Sequence, residues 1–427
     1  MKTILKQTSL VLALLAAQAT QAQAASEAVS EQRQVGAFSG IQLDGPYHVV
    51  IKAQGTQALA LSGPKERLAE IETRISGDTL IVGSRKHFNF GFHFGKQDRV
   101  TISITAPMLK ALKMSGSGDV ELEQVSGEQF SIQASGPGDL RAAGTVRELN
   151  VDSSGSGDVH LDKMSATNVR LSMSGPGDVV MAGISGEFKI DASGSGDLHA
   201  SALQASKVSA TMHGPGDVTL AGTSRELKLD VSGSGDFGGC ALAVEALSAA
   251  LHGPGGGCVS GKIKTFDAQA HGSGDLTVHG VLAPSAHVVL TGPGSIELDG
   301  GIGGLTAEVS GSGDLDGRKL NVTNATLRTT GPGSVFLGTV SGALEASISG
   351  SGDLSAAMAG KRLALAMDGP GGARVSGNVD SIKVALHGSG SLDAHDLVAT
   401  NTDVQVQGPG TAKINSTRYD RRSTRAQ

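Results

Sequence analysis

The sequence predicts an all-β solenoid, a parallel β-helix, on three observations. A Gly-Ser-Gly or Gly-Pro-Gly turn recurs at every nineteenth or twentieth position from Gly116 to Gly408, without an insertion. The segments between turns alternate apolar and polar residues, as half-buried strands do. Glycine is abundant, 62 of 427 residues, yet it falls at fixed positions, which marks stacked coils and not a flexible linker.

In chain order, the first element is an export signal. Lys2 and Lys6 precede an apolar run from Leu10 to Ala17, and small residues prepare a cleavage site after Ala22-Gln23-Ala24. That run is shorter than the roughly 20 residues a membrane span needs, and no later stretch reaches it. No cysteine precedes Cys240, so the signal lacks the residue of a lipoprotein anchor. Removing residues 1–24 leaves 33 basic against 41 acidic residues, a formal charge of −8. Such a chain is a poor partner for nucleic acid, whose binding rests on phosphate neutralisation. Residues 25–34 read as a linker, 35–113 as an N-terminal β cap region, and 114–415 as the repeats. Residues 416–427 form a basic tail with Arg418, Arg421, Arg422 and Arg425, read as a solvated end.

Within the repeats, Leu149, Val151 and Ser153 share one strand face before a turn, as do Val169, Leu171 and Met173. Val159 and Leu161, or Val218 and Leu220, do so after one. Both turn glycines suit a positive φ or close backbone stacking. The residue between them alternates throughout, from Ser117 and Pro137 to Ser389 and Pro409, and Ala-Gly pairs such as Ala143-Gly144 and Ala182-Gly183 follow several Pro turns. The repeat is therefore about 39 residues, made of two 19–20-residue halves. Two coil lengths fit it. Proline has no N–H for a ladder and stacks best on proline, which favours a 39-residue coil. The rival is a coil of one half-repeat, in which Ser and Pro share one column. The long coil is preferred here, and it leaves Cys240 and Cys258 on opposite halves of one coil as free thiols.

The order of several segments carries a resemblance. They are Phe38-Ser-Gly-Ile41, Gly45-Pro-Tyr-His-Val-Val-Ile51, Ile75-Ser-Gly-Asp-Thr-Leu-Ile81, Val100-Thr-Ile-Ser-Ile-Thr-Ala-Pro107 and Leu112-Lys-Met-Ser-Gly-Ser-Gly-Asp-Val120, followed by the Ser-Gly-Ser-Gly-Asp repeats. From about Val35 to Ile414 the chain resembles the bacterial head GIN domain, a family labelled as autotransporter adhesins. The resemblance implies a right-handed parallel β-helix and an exported protein, with no catalytic residues to carry over.

Three constellations invite a functional reading. Asp119, Asp158, Asp197, Asp236, Asp275, Asp314 and Asp353 follow the Ser turns. Stacked at ~4.8 Å, neighbouring carboxylates would repel by about 0.9 kcal/mol even in water. The plain account is that each accepts N–H bonds within its own turn. The sharper one is calcium bridging the coils, although the calcium β-roll nonapeptide pattern is missing. His213 with His252, and His160 with His199, recur at one 39-residue spacing but give pairs only, short of a metal-ligand set. Phe88, Phe90, Phe92 and Phe94 lie on one strand face framed by Lys86, His87, His93 and Lys96. That face caps the open end of the solenoid or meets a partner, glycan or lipid surface.

Acids and bases are nowhere gathered by a break in the repeat, which argues against catalysis. The sequence thus supports an exported, non-catalytic binding, adhesin-like or scaffold module at the cell envelope, periplasmic or extracellular. Its partner would be a cell-surface glycan or an envelope protein. Calcium is the one cofactor the Asp column would admit. The alternative is a carbohydrate-active β-helix enzyme of the polysaccharide lyase or hydrolase type.

Overall fold

A computed structural model of the chain describes residues 28–84 and 100–416. The signal segment, Phe88, Phe90, Phe92 and Phe94, and the arginines of the tail lie outside the described residues.

The chain winds into a β-solenoid of about 15 turns. Most coils are one bent strand of 14 or 15 residues closed by a Gly-x-Gly turn, as in Val120–Ala134, Leu140–Ser153 and Val159–Met173, while two are split at a corner, as in Val179–Ala182 and Glu187–Ala192. Consecutive coils pair in parallel: Leu140 lies between Val120 and Val159, and Val151 between Ile132 and Leu171. Inward residues form apolar columns along the axis. One column runs Val120, Leu140, Val159, Val179, Leu198, Val218 and Phe237, all buried. Corners fall where the alternation slips by one. At Asp162-Lys163 two exposed residues stand together between inward Leu161 and Met164.

Near the N-terminal end of the stack, β2 (Gly40–Leu43) and β3 (His48–Lys52), which follow β1 (Ala28–Gln32), carry on their outer side a further parallel layer made of Thr79–Ser84 and Thr101–Thr105. Together β2 and β3 make a coil, because Ile41 pairs with Leu112 and Val49 with Val120. Its turn, Gly45-Pro46-Tyr47, accepts an N–H bond from Gly118 of the next. Antiparallel structure covers the end beyond. There β4 (Ala58–Pro64) pairs with β1 and with Thr101–Thr105, helix α1 (Lys65–Glu70) buries Leu68, and Ile71–Ser76 pairs with Thr79–Ser84. The antiparallel strands thus pair with the outer edges of Thr79–Ser84 and Thr101–Thr105, which the parallel stack would otherwise leave open.

Equivalent positions on neighbouring coils are thus nineteen or twenty apart, and the preference for 39 is corrected. That preference assumed proline would remove a needed donor from a mixed column. The donor of each turn is instead its second glycine, as in Gly157 N–H to Gly136 O and Gly177 N–H to Gly155 O, both 3.2 Å. The N–H of the middle residue makes no backbone bond, so serine and proline alternate there without loss. The 39-residue period survives as an alternation of unlike coils. Leu122 pairs with Ala142 and Val125 with Gly144, so three steps on one coil match two on the next, a β-bulge on alternate coils. Gly183 and Gly222, at φ of 70° and 131°, turn this corner in two other shorter coils.

The cysteines agree. Cys240 and Cys258 lie on adjacent coils with Cα atoms 5.2 Å apart and form a disulfide, so the expectation of free thiols is overturned. A thiol count on the unfolded, unreduced protein is expected to be zero; two titratable thiols would contradict this arrangement.

Candidate functional site

Short coils put every turn aspartate into one column. Asp139 N–H donates to Asp119 Oδ1 at 3.3 Å, Asp158 N–H to Asp139 at 3.0 Å and Asp178 N–H to Asp158 at 3.0 Å. The series continues through Asp197, Asp217 and Asp236 at 2.8 Å each, and ends where Gly256 N–H donates to Asp236. Beyond Gly256 the column resumes with Asp275, Asp314 and Asp353, with Ser295 and Ser334 between them. The carboxylates therefore accept from the turn of the following coil, not their own, as the plain account had it.

Of the calcium candidates, Asp119, Asp158, Asp197 and Asp236 are each separated by another aspartate. Asp275, Asp314 and Asp353 are separated by serines. A hydrogen bond to a charged acceptor contributes about 1.5–3 kcal/mol, which exceeds the ~0.9 kcal/mol repulsion between neighbours. The bond is thus sufficient to hold the column. Melting experiments test this directly. Asp178→Asn keeps the acceptor and removes charge, so it is expected to hold or raise the Tm, whereas Asp178→Ala should lower it. Neither calcium nor chelator is expected to move the wild-type Tm; a calcium-dependent rise lost in Asp178→Asn would put the ion on the column.

The histidine pairs are not neighbours in space. Ser232 separates His213 from His252 and bonds His213 Nδ1 through its Oγ at 2.6 Å, while His252 stacks on His271 with ring centroids 5.2 Å apart. His160 and His199 flank Val180 from opposite sides.

Two shallow grooves lie along the turn column. One, of about 440 Å³, opens where Gly256 interrupts the aspartates, between Asp236 and Asp275 and beside Phe237 and Cys258. The other, about 280 Å³, includes Glu297, Asp314, Asp316 and Arg318. Their carboxylates are engaged. Glu297 is 2.9 Å from Lys319 and raises that ammonium's pKa by hydrogen bond and charge; Asp316 is 2.9 Å from Arg318; Asp236, Asp275 and Asp314 hold turn N–H groups. Arg318 also lies 4.0 Å over the Phe336 ring. Each of these carboxylates thus has a polar partner on at least one oxygen.

Sequence reasoning missed one cluster. His279 stands beside the Cys240–Cys258 disulfide, and the three ligand atoms lie within 4.8 Å of one another. His279 Nδ1 is 2.6 Å from Asp299 Oδ2, and Asp299 Oδ1 accepts Gly280 N–H at 2.6 Å. Burial opposes ionisation of Asp299, but these two donors outweigh it and hold its pKa below the ordinary carboxylate value. Unequal steps of eighteen, twenty-one and twenty positions lead from Cys240 to Cys258, His279 and Asp299. That signal becomes legible only once the coil length is known.

A family model described as "Putative auto-transporter adhesin, head GIN domain" matches repeatedly, over residues 37–237, 169–280, 218–299, 258–355 and 336–421. Among solved structures, a "putative adhesin" from Bacteroides fragilis is 17% identical, with 71% of this chain and 97% of that one covered and a TM-score of 0.25. A "putative lipid binding protein" from Parabacteroides distasonis is 14% identical, covering 82% and 97%, TM-score 0.25. A "putative adhesin" from Parabacteroides merdae is 11% identical, covering 91% and 96%, TM-score 0.26. No curated protein matches. Among the described residues no helix is long and apolar enough to cross a membrane.

Proposed function

The chain belongs to the head GIN domain family, and we propose that it serves as a non-catalytic, adhesin-like binding or scaffold module exported to the cell envelope. The observation that carries this reading is the engagement of the groove carboxylates. A glycoside hydrolase needs one protonated and one ionised carboxyl flanking a substrate cleft. Here the carboxylates that line the grooves accept turn N–H groups or pair with Lys319 and Arg318. What the solenoid offers outward is long, regular rows of polar side chains, suited to repeated weak contacts with a surface glycan or an envelope protein. The segment from Phe88 to Phe94 supplies an apolar candidate for the same contact on sequence grounds.

Fractionation of the native host with surface proteolysis tests the assignment. The processed chain is expected in the envelope fraction or outside the cell, with no release of oligosaccharide from polysaccharides incubated with the purified protein. Recovery of the unprocessed chain in the cytoplasm would overturn export. Sustained polysaccharide cleavage would favour the carbohydrate-active alternative.

A further inference from the structure

We propose that reduction of the Cys240–Cys258 disulfide uncovers a binding site for a thiophilic divalent cation, Zn²⁺ in the first place, made by both cysteines and His279. Three observations support it. The two sulfurs and an imidazole nitrogen come from three successive coils and already lie within 4.8 Å of one another, so once the S–S bond is broken the sulfurs need only part to the roughly 3.8 Å that two thiolates span on a tetrahedral ion. The carboxylate of Asp299 accepts a hydrogen bond from Nδ1–H of His279, which leaves the Nε2 lone pair as the donor. Asp299 is itself fixed by Gly280 N–H, so the imidazole is oriented before any ion arrives, the arrangement usual behind metal-binding histidines. All three side chains are exposed or half-buried, so an ion has access from solvent.

The chemistry balances as follows. A dithiol reductant gives two electrons and two protons to the S–S bond; the bond breaks, two protein thiols form, and the reductant leaves as a disulfide. The ion then displaces two thiol protons to solvent and forms two metal–sulfur bonds. His279 adds a neutral nitrogen and water fills the fourth position. Oxidation ties up the lone pairs the ion needs, so the disulfide is a lock. The site takes metal in a reducing setting and not in an oxidising one.

The full chain, oxidised or reduced with a phosphine and desalted, is titrated with Zn²⁺ against a chromogenic chelator. Co²⁺ is the spectroscopic probe in a parallel series. Reduced protein is expected to hold one equivalent and to show thiolate-to-cobalt charge transfer with the visible bands of a tetrahedral ion; oxidised protein should show neither. His279→Ala and Asp299→Asn should each weaken the reduced site by about 10–100-fold, with the circular dichroism of the solenoid unchanged. Should a variant fail to fold, the contrast between oxidised and reduced wild-type protein still decides. Equal uptake by both forms, or no uptake by the reduced form, overturns the proposal. So does full-strength binding in a folded His279→Ala variant.

Discussion

Replacing Gly196 by alanine is expected to disrupt the solenoid, whereas replacing its neighbour Ser195 by proline should leave stability within about 0.5 kcal/mol of the parent. The turn backbones lie directly over one another. A Cβ on Gly196 would overlap the carbonyl of Gly177 in the coil before, and the same holds along the column, for Gly177 on Gly157 and Gly216 on Gly196. The obstructing atoms are backbone, so no side-chain rotation relieves the clash. The coils must separate, and with them go ladder bonds and the apolar columns beneath. A loss beyond about 4 kcal/mol is expected, in the range reserved for named structural failures. At Ser195 nothing comparable happens: its N–H makes no backbone bond, and Pro176 and Pro215 occupy the same position in the coils on either side. Chemical denaturation of both variants measures the contrast. A Gly196→Ala protein as stable as the parent would show that the turns are not in backbone contact.

That contrast also marks where the sequence was legible. Period-two alternation and evenly spaced turns are properties of single strands, so the solenoid could be read from Leu149, Val151 and their equivalents before any pairing was known. Coil length is a property of how strands meet. Position by position, a Ser/Pro alternation reads the same whether unlike turns share a column or face each other across a core. The deciding quantity was which N–H the turn uses, and that is set by the glycines at either side, not by the serine or proline between them. The turn glycines themselves were half understood. Close stacking holds, while a positive φ is confined to Gly45 and Gly408 among the turns and otherwise belongs mostly to corners such as Gly183.

The Asp column followed the same rule. Its existence and its need for compensating bonds were evident from Asp119, Asp158 and Asp197, because like charges in a stack must be offset. Which N–H groups supply the offset depended on the coil, and so did the placing of Asp139, Asp178 and Asp217 in the same file. The histidines show the converse error. A 39-residue spacing looked like proximity for His213 and His252, and Ser232 lies between them. The cluster at His279 combines two residue types and uneven spacings, so no repeat in the sequence announces it.

Phe237→Ala is expected to cost about 4–5 kcal/mol, the upper end for a buried phenylalanine. The ring is fully buried in the column that otherwise carries Val218 on one side, and its neighbour on the other side is Gly257. A cavity is most costly where the surroundings cannot collapse into it. Gly257 has no side chain to move, and Gly239 lies so near the ring that a Cβ there would meet Phe237 Cε1 at 2.5 Å. Two glycines therefore border the space the ring occupies, and both would border the void. The large residue and the two small ones are one packing unit, which predicts non-additivity. At Gly257 an added Cβ meets only ordinary contacts, Leu276 Cδ1 at 3.4 Å and Leu229 Cδ2 at 3.5 Å. Gly257→Ala should therefore destabilise little by itself, yet recover part of the loss when combined with Phe237→Ala, because the added methyl group enters the vacated volume. A double-mutant cycle by chemical denaturation measures that coupling, expected at about 0.5–1 kcal/mol in the favourable direction. Strict additivity of the two changes would mean that Phe237 and Gly257 do not share a cavity, and the account of this column would fail.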